Sequence, residues 1–328
     1  MVWVKFIFCL LIIFFTGRKV AKYGDIIAER SGLGGAWIGL VLLASLTSLP
    51  ELFTGVSAVT LVDAPDLTIG NVLGANMFNM FNLALLDIAH RNSSLLAVVS
   101  RTHQLTGMLS LLLILVAAIS IFISNNYCTM GMGWLGWYSP VIILLYLIFV
   151  RIIFLFERRQ VAPKAAVPVY EVKPRERIYL PFAISSVFII GAGIWLPFIG
   201  DEIAQAYGWG QSFVGSLFLA FTTTLPELTV SFAAMRIGAN DMAVANMIGS
   251  NLFNLTIIPI DDLLYTKMPI LAAVSESHLL IAATVMLMTV LFMATLHFKP
   301  RRFIRLSWST FTLIVLFFLG AYFSFSMA

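Results

Sequence analysis

The segment TSLPEL at residues 47–52 recurs as TTLPEL at residues 223–228, and both copies lie inside long apolar runs. Each copy places a proline beside a glutamate where the apolar run is expected to cross a lipid bilayer. A carboxylate at mid-bilayer costs on the order of 2.5–3.5 kcal/mol even on the lenient insertion scale. Two glutamates at matching positions therefore predict one shared polar site, which we interpret as a cation-binding centre of a transporter.

The composition of the chain predicts a polytopic membrane protein. The 328 residues are 60% hydrophobic and 11% charged, with a mean hydropathy of +0.96, which is far more apolar than a soluble domain. Apolar runs of about 20 residues predict an all-α fold with about ten transmembrane helices. The predicted spans are residues 2–16, 34–60, 67–90, 104–124, 134–156, 178–200, 211–235, 242–260, 277–297 and 306–326.

The positions of lysine and arginine predict the orientation of these helices. Of the 20 basic residues, only Lys5, Arg151 and Lys267 lie outside the loops between alternate spans. The positive-inside rule assigns those basic loops to the cytoplasm, which places both termini outside. We interpret the basic loops as anchors at the bilayer surface, which argues against nucleic-acid binding. The acidic residues expected on the outer side are Asp63, Asp66, Asp201, Glu202, Asp261 and Asp262.

The chain divides into two repeats of five predicted helices. Residues 1–156 form the first repeat, residues 157–177 a polar cytoplasmic linker, and residues 178–328 the second repeat. Five spans is an odd number, so the second copy enters the membrane from the opposite side. Inverted repeats with interrupted helices indicate a secondary transporter. Matching positions are Gly32, Gly34, Gly39, Ala44 and 47–52 with Gly208, Gly210, Gly215, Ala220 and 223–228, then 74–79 with 249–254, and Asp87 with Asp262.

Proline chemistry predicts where ligand oxygens become available. Pro50 has no N–H and crowds the carbonyl four residues earlier, so the helix loses regular hydrogen bonding near Thr47, and Pro226 acts in the same way. Thr47 and Ser48 lie four and three residues before Glu51, so their oxygens share its helix face. The second copy and the neighbouring spans add Thr223, Thr224, Glu227, Asn76, Asn79, Asn251, Asn254 and Ser250.

This set contains only oxygen ligands, with two carboxylates and no thiolate or imidazole. Such a set suits hard cations, and Ca²⁺ is favoured over Mg²⁺ because Mg²⁺ resists dehydration and requires stricter octahedral geometry. One divalent ion, two monovalent ions or two protons neutralise the two carboxylates. Binding of one of these excludes binding of the others, because the surplus charge would lie in a region of low dielectric constant. Exchange requires such competition.

At these residues the chain resembles a known family. TSLPEL and TTLPEL, each followed by G-(A/S)-N-x-F-N, are similar to the two alpha-repeats of the calcium/cation antiporter superfamily, and specifically of its sodium/calcium exchanger branch of prokaryotic type. The resemblance implies a ten-helix exchanger that moves Ca²⁺ against Na⁺ by alternating access. It implies no cofactor other than the transported ions.

The resemblance also implies a set of ligands. The carboxylates of Glu51 and Glu227 are expected to bind Ca²⁺, and the carbonyl oxygens of Thr47 and Thr223 to complete that site. The residues implied for Na⁺ are Ala44 through its carbonyl, Thr47 and Ser48 in one repeat and Ala220 through its carbonyl, Thr223, Thr224 and Ser250 in the other, while Asn79 and Asn254 are implied to line the centre.

Four positions depart from the family pattern. Leu46 and Thr222 stand where glycine is usual, so unwinding at the kink is expected to differ. Ala75 stands where serine is typical and removes one hydroxyl ligand from a sodium site. Asn254 replaces the aspartate of some relatives, which argues against potassium co-transport. An antiporter that exchanges Ca²⁺ or another divalent cation for H⁺ therefore remains the alternative function.

Other polar residues are interpreted as structural. Asn76 and Asn251 are expected to bond neighbouring helices. Asp87 lies four residues before Arg91 at a helix end, which favours a surface ion pair. The histidines without a repeat partner or a specific role in this interpretation are His90, His103, His278 and His297.

An enzyme and a cation channel are the rival classes of function. No GxGD-type aspartate pair, HExxH helix or serine/histidine pairing is present, so an enzyme is not predicted. A cation channel is the alternative from a different class, although a centre built from inverted, interrupted helices fits alternating access better than a continuous pore. The compact chain predicts a prokaryotic inner membrane protein. Its oligomeric state does not follow from the sequence.

Overall fold

The structure is built almost entirely from α-helices, which confirms the predicted fold class. It is a computed structural model that describes residues 1–30, 43–90, 93–127, 131–160, 178–299 and 307–327. The two short strands, Gly131–Met132 and Leu135–Gly136, form an antiparallel hairpin. The helices are α1 Val2–Arg30, α2 Ala44–Thr47, α3 Leu49–Ser57, α4 Pro65–Ala89, α5 Leu95–Val98, α6 His103–Asn126, α7 Tyr138–Gln160, α8 Tyr179–Tyr207, α9 Gln211–Val214, α10 Ala220–Thr223, α11 Leu225–Arg236, α12 Asn240–Asn254, α13 Ile257–Leu264, α14 Ser277–Phe298 and α15 Trp308–Ser326.

Some sequence predictions fall outside these ranges. Residues 161–177 of the predicted cytoplasmic linker lie outside the described residues. Arg91 also lies outside the described residues, as do the glycines at 32, 34 and 39, which are the first matching positions of the two repeats. Predictions about these positions stay predictions.

Ten segments account for the predicted membrane spans. Seven helices are long and apolar enough to cross a bilayer, and the pair Gln211–Thr223 and Leu225–Arg236, bent by 41°, makes an eighth span among the described residues. α1 and the interrupted segment from Ala44 to Val62 occupy the two remaining positions in the repeat order. The structure is therefore that of a polytopic membrane protein.

The first helices of the two repeats run antiparallel, as inversion requires. Lys5, at the start of α1, forms an ion pair of 2.6 Å with Glu202, near the end of α8. Trp3 Nε1 donates a hydrogen bond of 2.6 Å to the hydroxyl of Tyr207 at the same end. The start of α1 thus lies beside the end of α8.

The helices that carry most polar residues lie at the centre of the bundle. In α4, 78% of the span is buried inside the protein, and in the segment Asn240–Leu264, which contains α12 and α13, 83% is buried. In α15, by contrast, only 33% is buried, and large apolar side chains such as Phe311 and Phe318 face outward. This arrangement keeps amide and carboxylate groups away from lipid, where they are strongly disfavoured.

α1 and α8 cross the two proline kinks. A Cβ atom at Gly17 would lie 2.4 Å from Cγ of Pro226, and a Cβ atom at Gly193 would lie 3.3 Å from the carbonyl oxygen of Pro50. Gly193 follows Gly17 by 176 residues, which is also the spacing of the two glutamates. Each repeat therefore packs its first helix onto the interrupted helix of the other repeat, where a missing side chain permits close approach.

Asp87 and Asp262 are fully buried, so the interpretation of Asp87 as a surface residue is wrong. Each carboxylate ties its own helix to the first turn of the last helix of the other repeat. Asp262 accepts hydrogen bonds from the hydroxyls of Tyr138 and Ser139, and Asp87 accepts one from Thr310. Tertiary packing decides their role because these donors are remote in sequence. Donors near in sequence are Ser94 Oγ and Leu96 N for Asp87 and Ile270 N for Asp262, and Gly136 N is a further remote donor to Asp262.

His103 and His278 are repeat partners, so the interpretation of the histidines as unmatched is wrong. They are 175 residues apart. His103 Nε2 lies 3.1 Å from Asp241 Oδ1, and His278 Nε2 lies 2.8 Å from Asp66 Oδ1. In each case the histidine and the aspartate belong to different repeats, so the two contacts bridge the halves at opposite ends of the bundle. The backbone N–H groups of Ser100 and Ser275 donate to the same two aspartate oxygens.

Replacing His278 by alanine is expected to destabilise the protein. The ring is fully buried, and its loss removes a hydrogen bond to a charged group, worth about 1.5–3 kcal/mol. We expect the melting temperature in detergent to be lower by about 4 °C or more. Thermal unfolding monitored by tryptophan fluorescence measures this change. His297 is exposed at the end of α14, so His297→Ala serves as the matched control and should melt like the unaltered protein. Equal melting of the His278 variant would contradict the inter-repeat bridge.

Candidate functional site

Two interrupted helices carry the TSLPEL and TTLPEL segments. α2 and α3 meet at Ser48, whose φ and ψ are −86° and 13°, and α10 and α11 meet at Thr224, with −83° and 0°. A proline stands in the first turn of each following helix, Pro50 in α3 and Pro226 in α11. The helix breaks therefore fall at matching positions in the repeats, immediately before the glutamates.

The two glutamates converge in the interior. Glu51 and Glu227 are fully buried. Ser48 Oγ, on the helix face that carries Glu51, donates a hydrogen bond of 2.9 Å to Glu227 Oε1. Within the described residues no lysine, arginine or histidine forms an ion pair with either carboxylate. Two buried carboxylates without a basic partner are strongly disfavoured unless a cation or protons neutralise them.

A threonine of each repeat lies beside the glutamate of the other. Thr47 lies beside Glu227, and Thr223 lies beside Glu51. Thr47 Oγ1 also lies 3.5 Å from the hydroxyl of Ser250, which belongs to the second repeat. The inversion therefore brings predicted ligands from both halves to one place.

Four asparagines join α4 to α12 in repeat-related pairs. Asn76 and Asn251 each donate to the backbone carbonyl of the other, at 3.2 Å and 3.3 Å, which confirms their structural interpretation. Asn79 Nδ2 donates to Asn251 Oδ1 at 3.0 Å, and Asn254 Nδ2 donates to Asn76 Oδ1 at 3.2 Å. The side-chain oxygens of Asn79 and Asn254 are buried and accept no hydrogen bond.

The carbonyl oxygens of Ala44 and Ala220 already accept hydrogen bonds within their helices. Ala44 O accepts from Thr47 Oγ1 at 3.1 Å and from Ser48 N at 3.0 Å. Ala220 O accepts from Thr224 Oγ1 at 2.8 Å and from Thr224 N at 3.1 Å. A cation at either carbonyl therefore requires a threonine hydroxyl to turn away, which rotation about its C–O bond permits.

Five buried oxygen atoms of the predicted ligand residues have no hydrogen-bond partner. They are both carboxylate oxygens of Glu51, Oε2 of Glu227, and Oδ1 of Asn79 and Asn254. Buried polar atoms in native proteins are nearly always hydrogen-bonded, so this concentration points to a missing electropositive partner. Oxygen atoms with two carboxylates suit a hard cation. No group of three or more His, Cys, Asp or Glu that could hold a metal ion occurs in the described ranges, so neutral oxygens must supply the other ligands.

Two asparagines that the sequence analysis did not single out also contact this region. Asn71 Oδ1 accepts a hydrogen bond of 3.1 Å from Thr223 Oγ1. Asn246 Nδ2 donates to the backbone carbonyl of Glu227 at 3.2 Å. They are 175 residues apart, so the offset that matches Asn79 with Asn254 was the signal that could have identified them.

Several known proteins are similar to this chain in sequence. The sequence profile of a family described as sodium/calcium exchanger protein matches residues 1–155 and 178–327. Inner membrane protein YrbG of Escherichia coli K12 is 25% identical over 253 residues, which cover 76% of this chain and 75% of YrbG. The putative antiporter CaxA of Alkalimonas amylolytica is 23% identical over 286 residues, which cover 85% of this chain and 86% of CaxA.

A solved structure extends the comparison to the whole fold. The sodium-calcium exchanger NCX_Mj superimposes with a TM-score of 0.62 at 21% identity, over 98% of each chain. At this identity the likeness concerns the fold. It confirms the predicted arrangement of ten helices in two inverted repeats.

Proposed function

The chain belongs to the sodium/calcium exchanger family of membrane cation antiporters, and from that membership we propose that it exchanges Ca²⁺ for Na⁺ by alternating access. The observation that carries the proposal is the convergence of Glu51 and Glu227 in the interior, without a basic partner among the described residues. One Ca²⁺ or two Na⁺ neutralise this pair. If Ca²⁺ and Na⁺ bound together, net positive charge would remain in a medium of low dielectric constant. Binding of Na⁺ therefore favours release of Ca²⁺, and binding of Ca²⁺ favours release of Na⁺.

We assign the Ca²⁺ ligands to the carboxylates of Glu51 and Glu227 and the carbonyl oxygens of Thr47 and Thr223. These threonines end α2 and α10, where a helix leaves carbonyl groups without intrahelical donors. The Na⁺ ligands are drawn from the surrounding hydroxyl and carbonyl oxygens. They comprise Ala44, Thr47 and Ser48 in one repeat and Ala220, Thr223, Thr224 and Ser250 in the other, with Asn79 and Asn254 lining the centre.

Neutral oxygens around the carboxylates favour Na⁺ as the counter-ion. A proton needs one acceptor atom, whereas Na⁺ needs several oxygen ligands. The unpartnered oxygens of Asn79 and Asn254 are available as such ligands for Na⁺. Ala75 is the observation that favours the H⁺ alternative, because it lacks the hydroxyl that Ser250 carries at the matching position. The two repeats therefore supply unequal sodium sites.

The packing of α1 and α8 supports alternating access. Gly17 of α1 contacts the kink at Pro226, and Gly193 of α8 contacts the kink at Pro50. Movement of these two helices relative to the bundle therefore acts on the segments that hold both glutamates. Because the contacts are related by the inverted repeat, the same movement has opposite consequences at the two ends of the bundle.

We place the chain in a prokaryotic inner membrane, with both termini outside and residues 157–177 as a cytoplasmic linker between repeats 1–156 and 178–328. YrbG, which is similar, is described as an inner membrane protein. Lys5 and Lys267, which lie outside the predicted cytoplasmic loops, each pair with an acid predicted on the outer side, Glu202 and Asp63. The hydrogen bond with Asp63 raises the pKa of Lys267 above its usual value, so this exposed lysine stays charged at neutral pH.

Ca²⁺ uptake by proteoliposomes under imposed gradients tests this function. Vesicles loaded with Na⁺ and diluted into choline are expected to accumulate ⁴⁵Ca²⁺, whereas a proton gradient of equal ratio is expected to drive no uptake. Protein-free vesicles provide the control. Uptake driven only by the proton gradient would establish the H⁺ alternative, and uptake that needs no counter-ion gradient would indicate a channel.

A further inference from the structure

Asp261 is a third buried carboxylate, outside the central pair. It lies in α13 and is fully buried. Its Oδ2 accepts a hydrogen bond of 3.2 Å from Thr68 Oγ1, and its Oδ1 accepts none. No ion pair with a basic residue is found for it in the part of the chain that the structure describes. A carboxylate in such surroundings requires a cation or a proton to neutralise it.

This carboxylate lies one helical turn from Glu51. A Cβ atom at Gly55 would lie 2.3 Å from Asp261 Oδ2, so the carboxylate rests against the bare backbone of α3. Gly55 follows Glu51 by four residues and therefore shares its helix face. Thr54, three residues after Glu51, is also fully buried, and its hydroxyl has no hydrogen-bond partner. An unpartnered carboxylate oxygen and an unpartnered hydroxyl thus lie beside the central site.

The inverted repeat does not account for Asp261. Asp87 and Asp262 are repeat partners, and each holds the first turn of a helix from the other half. The partner of Asp261, 175 residues earlier, is Leu86, which is buried among apolar side chains. A carboxylate at this buried position is therefore not required by the architecture, and it makes the two repeats chemically different here.

Polar side chains connect this carboxylate to the central site along α4. Thr68, which donates to Asp261, lies three residues before Asn71 and on the same helix face. Asn71 Oδ1 accepts a hydrogen bond of 3.1 Å from Thr223, and its Nδ2 has no partner. Hydrophilic groups thus connect Asp261 to Thr223, a proposed Ca²⁺ ligand, within the interior.

We propose that Asp261 Oδ1 and the hydroxyl oxygens of Thr54 and Thr68 form a second cation site that holds one Na⁺. A single carboxylate with neutral oxygens is neutralised by a monovalent ion, whereas a divalent ion would leave net positive charge in the interior. Carboxylate and hydroxyl oxygens are hard ligands, which suit Na⁺. The site lies between the central pair and the end of the bundle that carries Asp63 and Lys267, because Gly55 lies between Glu51 and Asp63 along the chain. It goes beyond the proposed Ca²⁺ site and does not require it.

The test uses a double variant, Glu51→Gln with Glu227→Gln, which removes the central carboxylates. Its melting temperature is measured in detergent over a series of Na⁺ concentrations, with choline keeping the ionic strength constant. A ligand that binds the folded state raises the melting temperature by mass action. We expect Na⁺ to raise it in this variant, and Asp261→Asn, added to the double variant, to abolish the rise. Thr54→Val, which keeps the side-chain shape, is expected to move the half-maximal response to higher Na⁺ concentrations.

Asp63→Asn in the same double variant is the matched control, because it removes an exposed aspartate near the same end and should leave the Na⁺ response unchanged. A double variant that does not respond to Na⁺ overturns the proposal, as does a response that survives Asp261→Asn. A melting temperature that follows pH through Asp261 but not Na⁺ identifies a proton site and also overturns it. Absence of Na⁺-driven Ca²⁺ uptake by the unaltered protein, with this Na⁺ response intact in the double variant, would contradict only the function proposed above.

Discussion

Glu51→Gln and Glu227→Gln are each expected to abolish Na⁺-driven Ca²⁺ uptake. Each substitution removes half of the negative charge from a fully buried site. Loss of one charged partner in the interior costs about 3–5 kcal/mol, which corresponds to roughly two to four orders of magnitude in affinity. ⁴⁵Ca²⁺ flux into proteoliposomes measures the loss of transport, and direct Ca²⁺ binding in detergent measures the loss of affinity.

Glu202→Gln is the matched control for these variants. Glu202 is a half-exposed glutamate paired with Lys5 at the end of α8, remote from the kinks, so its substitution should leave uptake unchanged. Misfolding is excluded by melting temperature, because replacing an unpaired buried carboxylate by an amide should not destabilise the protein. Full Ca²⁺ uptake by either central variant would contradict the assigned site.

Asp262→Asn is expected to cause the largest loss of stability among single substitutions of buried acids. Each oxygen of Asp262 accepts two hydrogen bonds, Oδ1 from Tyr138 OH and Ile270 N, and Oδ2 from Gly136 N and Ser139 Oγ. An asparagine turns its NH₂ group toward one of these pairs of donors. Each donor left without an acceptor costs about 1–3 kcal/mol. We expect a melting temperature lower by more than about 5 °C, and reduced recovery of monodisperse protein.

Asp63→Asn provides the matched comparison for this variant. Asp63 has φ of 60°, a left-handed conformation that asparagine adopts readily, and its ion pair with Lys267 is exposed. The substitution should therefore leave the melting temperature unchanged. If Asp262→Asn melts no earlier than Asp63→Asn, the buried network does not stabilise the contact between the repeats.

Local signals in the sequence predicted most of the architecture. Apolar runs predicted about ten spans, and Pro50 and Pro226 predicted interruptions that the structure places at Ser48 and Thr224. These features depend on chemistry within a few residues: apolar side chains partition into lipid, and proline lacks an N–H donor. The second span is described only from residue 43 onward.

Long-range contacts were the part that sequence reasoning missed. Asp87 suggested a surface position because Arg91 follows one turn later, yet it is fully buried and accepts a hydrogen bond from Thr310. His103 and His278 were interpreted as unmatched because they lie outside the repeated motifs, although a 175-residue offset links them as it links Asn79 with Asn254. Asp261 has no repeat partner, so comparing the halves gave no signal for it.

The sequence by itself determined the membrane class, the two inverted repeats and the helices that are interrupted, because hydropathy, residue spacing and proline act locally or repeat at a constant offset. Only the tertiary structure decided which polar groups meet. It brought Ser48 to Glu227, Thr223 to Asn71 and Asp261 to the bare backbone at Gly55. The physical reason is that a buried polar atom is satisfied by whichever helix packs against it, and that helix is far away in the sequence.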